Sequence, residues 1–128
     1  MPDRFIMSGD FRGALINIKS TLTNVTQSVG EILTDDESTR KELEKLIEQL
    51  SEELQKTPEG KQEQAQAVAE TAKALVDTAK AEKPNQTMLQ ITGDGLKKAA
   101  QNLAEVMPTV VTITGQIVMA VSKLAIGV

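Results

Sequence analysis

Two groups of carboxylates, one glycine-flanked aspartate and one hydroxyl–amine neighbour pair are the residues here whose types could do chemistry. Glu44, Glu48 and Glu52 fall four apart, a spacing that brings carboxylates to one side of a helix, where acid–base or glycoside-cleaving dyads are built. They stand among other charges and have no aromatic wall to desolvate one of them and raise its pKa, so the spacing describes a solvated helix face. Asp35-Asp36-Glu37 gathers carboxylates that a hard cation could use, yet the run immediately precedes an amphipathic stretch, where a helix dipole favours negative charge. Gly93-Asp94-Gly95 has the outline of a calcium or phosphate loop. It lacks both the further carboxylates and the glycine ladder with lysine that such loops need, and reads as a turn or a helix start. Ser122-Lys123 offers a nucleophile beside a base, but adjacent residues of a helix diverge by about 100°. No catalytic, metal-ligating or cofactor-binding residue is assigned on these patterns, and no cofactor is implied.

What the chain lacks narrows its chemistry further. It has no His and no Cys among 128 residues, which removes thiolate nucleophiles, imidazole-based triads, the usual zinc and haem ligands, and disulfides. There is no Trp or Tyr, and Phe5 and Phe11 are the only aromatic residues. A core must then be built from Leu, Ile, Val, Ala and Met, a set suited to helix packing. A net charge of −4 argues against a nucleic-acid partner, which calls for a basic patch and stacking aromatics. The absence of cysteine is compatible with a reducing compartment, and the first nine residues do not read as a signal peptide, so the expected location is cytoplasmic.

The elements that would position these groups follow from hydrophobic spacing. Length points to a single domain over 1–128, divided by texture into an N-terminal segment 1–33, an acidic helical hairpin 34–83 and an apolar C-terminal pair of helices 84–128. Ser38 to Lys56 is amphipathic, with Leu43, Ile47, Leu50 and Leu54 on one stripe. Its start is marked by the capping-box spacing of Thr34 and Glu37, and Glu37/Lys41 and Glu52/Lys56 are helix-supporting pairs. Thr57-Pro58 predicts the cap and first turn of a second helix, to about Glu82, with Ala65, Val68, Ala69, Ala72, Leu75, Val76 and Ala79 on its inner face.

After Lys83-Pro84-Asn85 a third pattern runs through Leu89, Thr92, Leu96, Ala99, Leu103 and Met107. Gly93 and Gly95 within it predict either a helix start near Asp94 or a close backbone approach. From Thr109 to Ile126 the spacing recurs at Val110, Ile113, Ile117, Val121 and Leu124. Val111, Val118, Met119 and Ala125 widen that face, so this helix is expected to be the most deeply buried. Val106 to Ser122 carries no formal charge, but its Pro, Thr, Gly, Gln and Ser content suits a central bundle helix better than a bilayer span.

The N-terminal segment fits two templates. Leu15, Ile18, Leu22, Val25, Val29 and Ile32 keep helical spacing, while Ala14, Ile16, Ile18 and Leu22 fit one strand face. Its many β-branched residues, with Asn17, Ser20 and Asn24, tip the expectation toward a strand over 14–26 able to pair with copies of itself. The fold class is therefore mainly α, a four-element helical hairpin or bundle behind an N-terminal extended (β) or helical segment.

The run Ser8-Gly9-Asp10-Phe11-Arg12-Gly13-Ala14, followed by Ile16-Asn17-Ile18, resembles the glycine-punctuated leader of small bacterial modules associated with conflict and signalling effectors. The resemblance covers about the first thirty residues. It implies an extended leader ahead of a helical part that mediates like-with-like association, and it assigns no functional residue.

Taken together, the residues predict a non-enzymatic self-association module, an adaptor or scaffold, whose partner is another copy or another protein. The interaction residues would be Phe11, Leu15, Ile16, Ile18, Leu22 and Val25 in the leader and Val110, Ile113, Ile117, Val121 and Leu124 in the last helix. A membrane-active protein that inserts its C-terminal apolar helix is the alternative.

Overall fold

An apolar stripe needs another element to cover it, and in the computed structural model five helices cover one another. The structure describes residues 2–126, with side chains for 11–125. Helix α1 spans Pro2–Val29, α2 Glu37–Leu54, α3 Gln62–Ala79, α4 Gln86–Gln101 and α5 Pro108–Ile126. The protein is mainly helical, and no strand occurs among the described residues.

The expected strand over 14–26 is therefore corrected to the middle of α1. Each β-branched, Asn or Ser residue costs a helix about 0.5 kcal/mol relative to Ala. Burying a Leu, Ile or Val returns about 1.5–3 kcal/mol, and Ile18, Leu22, Val25 and Val29 are each 0–1% exposed along one stripe. The threonine hydroxyls also find partners inside the helix: Thr23 donates to the Lys19 carbonyl at 2.9 Å and Thr26 to that of Leu22 at 3.1 Å. Ile16 and Ile18 would share a strand face; the helix separates them, leaving Ile16 68% exposed and Ile18 fully covered.

Local chemistry sets where the other helices begin. Asp36, rather than Thr34, caps α2: its carboxylate accepts from the Thr39 N–H at 3.0 Å and the Thr39 hydroxyl at 2.7 Å. Thr34 instead accepts from the Asp36 N–H. Arg40 ties the α1–α2 loop down by donating to the Ile32 and Thr34 carbonyls, both at 2.9 Å. The surface ion pairs fall at Glu37–Arg40 and Glu53–Lys56 instead of Glu37/Lys41 and Glu52/Lys56.

Helix α3 starts four residues later than Pro58. Thr57 is buried and closes α2 by donating its hydroxyl to the Leu54 carbonyl at 2.6 Å, and Gly60 then turns the chain with φ of 100°. That left-handed φ is open to glycine at little cost. Helix α4 begins at an Asn85 cap and runs unbroken through both glycines. Close approach explains Gly93, since a Cβ there would lie 3.3 Å from Val118 Cγ1.

Cross-links between helix ends define the arrangement. Gln55, just after α2, donates to the Leu15 carbonyl at 2.8 Å; Lys80, just after α3, reaches Ser28 and Glu31 near the end of α1; Thr57 reaches Met107 at the start of α5. Helices α1, α3 and α5 therefore run one way and α2 and α4 the other. Around the circuit the order is α1, α2, α5, α4, α3, with α3 also touching α5 across the middle. Helices α2 and α3 do not form the expected acidic hairpin. Instead α2 lays its stripe on α5 and α1, and α3 lays its stripe on α4 and α1.

Candidate interaction surface

Helical register decides which of the expected contact residues can reach another molecule. Of the leader set, Ile18, Leu22 and Val25 are buried in the chain's own core, Phe11 and Leu15 are half-buried, and only Ile16 is well exposed. Val110, Ile113, Ile117, Val121 and Leu124 of α5 are all buried, none more than 5% exposed. These eight covered side chains hold the bundle together and are not presented to a partner. The reason is supply: five stripes, each one-sided, close on a shared core without help from a second molecule.

Helix α5 is nevertheless less covered than its composition predicts. Only 39% of Pro108–Ala125 is buried, although it is the stretch of the described chain long and apolar enough to cross a membrane. The outer row Thr112, Gln116, Met119 and Lys123 is exposed, with Met119 at 73%. Val118 and Ser122 beside it are half-buried. Part of this side of α5 lines a channel of about 870 Å³, with Val118, Met119 and Ala120 at its base beside Gln116, Ser122 and Lys123, Thr39 and Glu42 of α2 on one rim and Lys97 of α4 on the other. A smaller cleft of about 310 Å³ opens on the α4 side, where Leu89, Gly93 and Asp94 face Val118 and Ser122. Glycine at 93 lets α4 sit close against Val118 of α5.

The channel is apolar at its floor and charged at its edges, acidic on α2 and basic on α4 and at Lys123. Beyond its end, Asp36 has its carboxyl held below the ordinary value, first by the Thr39 hydroxyl, then by the Thr39 N–H, with Lys123 adding a smaller attraction. Across the molecule, Lys73 is pushed up by its hydrogen bond to Asp77, a surface pair on α3 far in sequence from the channel.

The groups whose types could do chemistry are dispersed. Glu48 and Glu52 are exposed and Glu44 is half-buried on α2, and none lines the channel. Ser122 and Lys123 both border it. Among the described residues, no three of His, Cys, Asp and Glu stand close enough to hold a metal ion. Sequence reasoning did not single out Met119, Glu42 or Lys97, which line the channel. The signal was present for Met119: it is the apolar member of a 112, 116, 119, 123 row that is otherwise polar, set off from the buried stripe.

The chain matches no protein-family model, no curated protein and no solved structure.

Proposed function

We propose that this protein is a non-enzymatic interaction module, an adaptor or scaffold, that self-associates through the outer face of α5. The observation that carries the reading is the uncovered apolar floor of the α2–α4 channel, with Met119 73% exposed at its centre. An exposed apolar patch rimmed by charge is the usual form of a protein-binding surface, and methionine adapts to the shape it meets. The stripes first expected to meet a partner serve the fold, so the contact moves to the back of the same helix. The resemblance of the first thirty residues supports placing such a module in bacterial signalling or defence, and the lack of thiols suits a cytoplasm.

Light scattering behind a size-exclusion column at micromolar to submillimolar concentration tests it. The weight-average mass should rise above the 13.8 kDa of the monomer as concentration increases. A constant monomer mass over the whole range contradicts self-association.

Insertion of α5 into a bilayer is the second reading, favoured by the mean hydropathy of 1.3 over Pro108–Ala125. Insertion would require the seven buried side chains among the described residues of Pro108–Ala125, Thr114 among them, to leave the core. Sedimentation of the full chain with anionic vesicles separates the two, since a surface contact between copies leaves the protein in the supernatant.

A further inference from the structure

A surface that binds a copy of itself about a twofold axis must be complementary to itself. A residue on the axis meets its own copy, and a residue to one side meets what lies on the other side. The outer face of α5 meets that condition with the residues it exposes.

Helical register sorts this face into two sides. Ala120 stands about 100° to one side of Met119 and Val118 about 100° to the other. Val118 and Ser122 border the cleft against Leu89, Gly93 and Asp94, so theirs is the α4 side. Lys123 falls about 40° from Met119 on the opposite, α2 side, where its charge attracts the Asp36 carboxylate at the cap of α2. The α2 side therefore carries Glu42 and Lys123, and the α4 side carries Lys97 and Asp94. All four are exposed. Met119 stands between them at 73% exposure, so the channel is shallow at its centre.

The order of charge along the two sides is opposite. Helices α2 and α4 both run against α5, so from the start of α5 to its end the α2 side reads Glu42 then Lys123. The α4 side reads Lys97 then Asp94, base before acid. Glu42 is about 9 Å beyond Asp36 along α2, and Met119 is about 6 Å back from Lys123 along α5, which brings Glu42 within a turn of the level of Met119. A twofold axis crossing α5 at Met119 would thus return Glu42 onto its own copy. An axis running along α5 instead lays the α2 side of each copy on the α4 side of the other.

We infer that two copies pair face to face about a twofold axis at Met119, with their α5 helices running broadly the same way, Glu42 opposite the second copy's Lys97 and Lys123 opposite its Asp94. This rests on the self-association proposed above and specifies its symmetry and polarity. Lys97 lies about 6 Å beyond Gly93 along α4, and Gly93 rests on Val118, so Lys97 is nearer the start of α5 than Glu42 is. The axis therefore leans across α5, and the two helices lie obliquely. Both copies use the same patch, so the contact is closed and assembly stops at the dimer.

The chain has no cysteine, so a single introduced thiol can form a disulfide only with another copy. Under a mild oxidant such as diamide, the 128-residue chain carrying Met119→Cys should become a covalent dimer at least tenfold faster than the chain carrying Ile16→Cys. Ile16, on α1, is almost equally exposed, at 68%, and a disulfide needs its two Cα atoms within about 7 Å. In sedimentation velocity the wild-type mass should level off at twice 13.8 kDa. Lys97→Glu and Glu42→Lys should each weaken the dimer about tenfold, and an equimolar mixture of the two should recover to within about threefold of the wild type, because each copy supplies the charge the other has lost. Circular dichroism checks that each variant is folded. If Met119→Cys itself prevents association, the charge-reversal mixture, which keeps Met119, decides alone. Equally slow cross-linking at 119 and 16, or growth past the dimer, overturns the twofold contact while a rising wild-type mass leaves self-association standing. Fast cross-linking at 119 with no recovery in the mixture overturns the stated polarity. A wild type that stays monomeric overturns the contact and self-association together.

Discussion

At the scale of single residues, α1 turns on the difference between two isoleucines two positions apart. A strand would place Ile16 and Ile18 on one face and give them one fate; the helix gives them opposite ones. Ile18→Ala should therefore cost about 2–4 kcal/mol in chemical denaturation, while Ile16→Ala should stay within about 0.5 kcal/mol of the wild type. Equal losses at the two sites would support the strand. Asp36 carries a separate expectation. Its carboxyl is held below its ordinary value of 3.8, first by the Thr39 hydroxyl and then by the Thr39 N–H. A group depressed by folding adds stability above its unfolded pKa and loses it as pH falls through the folded one. The stability advantage of the wild type over Asp36→Ala should thus be constant from neutral pH to about 4 and shrink below it. Thermal melts of the two proteins across that range check this.

At the scale of elements, the middle and C-terminal helices were largely legible and the leader was not. The inner residues of α3 and the α5 stripe Val110, Ile113, Ile117, Val121 and Leu124 are buried as their spacing predicts, because a one-sided aliphatic row at 3-4 intervals has few other ways to be covered. Boundaries moved where a competing bond was invisible in sequence: Thr57 closes α2 instead of opening α3, and Asp36 displaces Thr34 as the cap. The leader was misread because composition was weighed against spacing, and burial of four aliphatic side chains outweighs many small propensity costs. The two glycines of α4 make a sharper test of packing. A Cβ at position 95 would meet Thr71 Cγ2 at 3.9 Å, an ordinary contact, whereas one at 93 would press Val118 at 3.3 Å. Gly95→Ala should stabilise the protein by about 0.5–1 kcal/mol. Gly93→Ala should return less than that or nothing, and equal gains at both positions would contradict the close approach of α4 to α5.

At the scale of the whole molecule, an apolar element can be exposed on one side even when its best stripe is buried. Val111, Val118, Met119 and Ala125 predict α5 to be the most deeply buried helix, but the bundle covers its inner stripe and leaves Met119 on the surface. The same closure withdraws Ile18, Leu22 and Val25 from any partner, and no count of apolar residues could have distinguished the two faces without the order in which the helices pack. The inner stripes of α1 and α5 build the fold, and the proposed function assigns binding to the outer face of α5. Amide hydrogen exchange on the whole 128-residue chain, followed at low and high protein concentration, separates the two roles. Residues 18–29 should be protected at both concentrations, and residues 112–123 should gain protection as the protein is concentrated. Free exchange across 18–29 in dilute solution, or protection of 112–123 that is indifferent to concentration, would contradict that division.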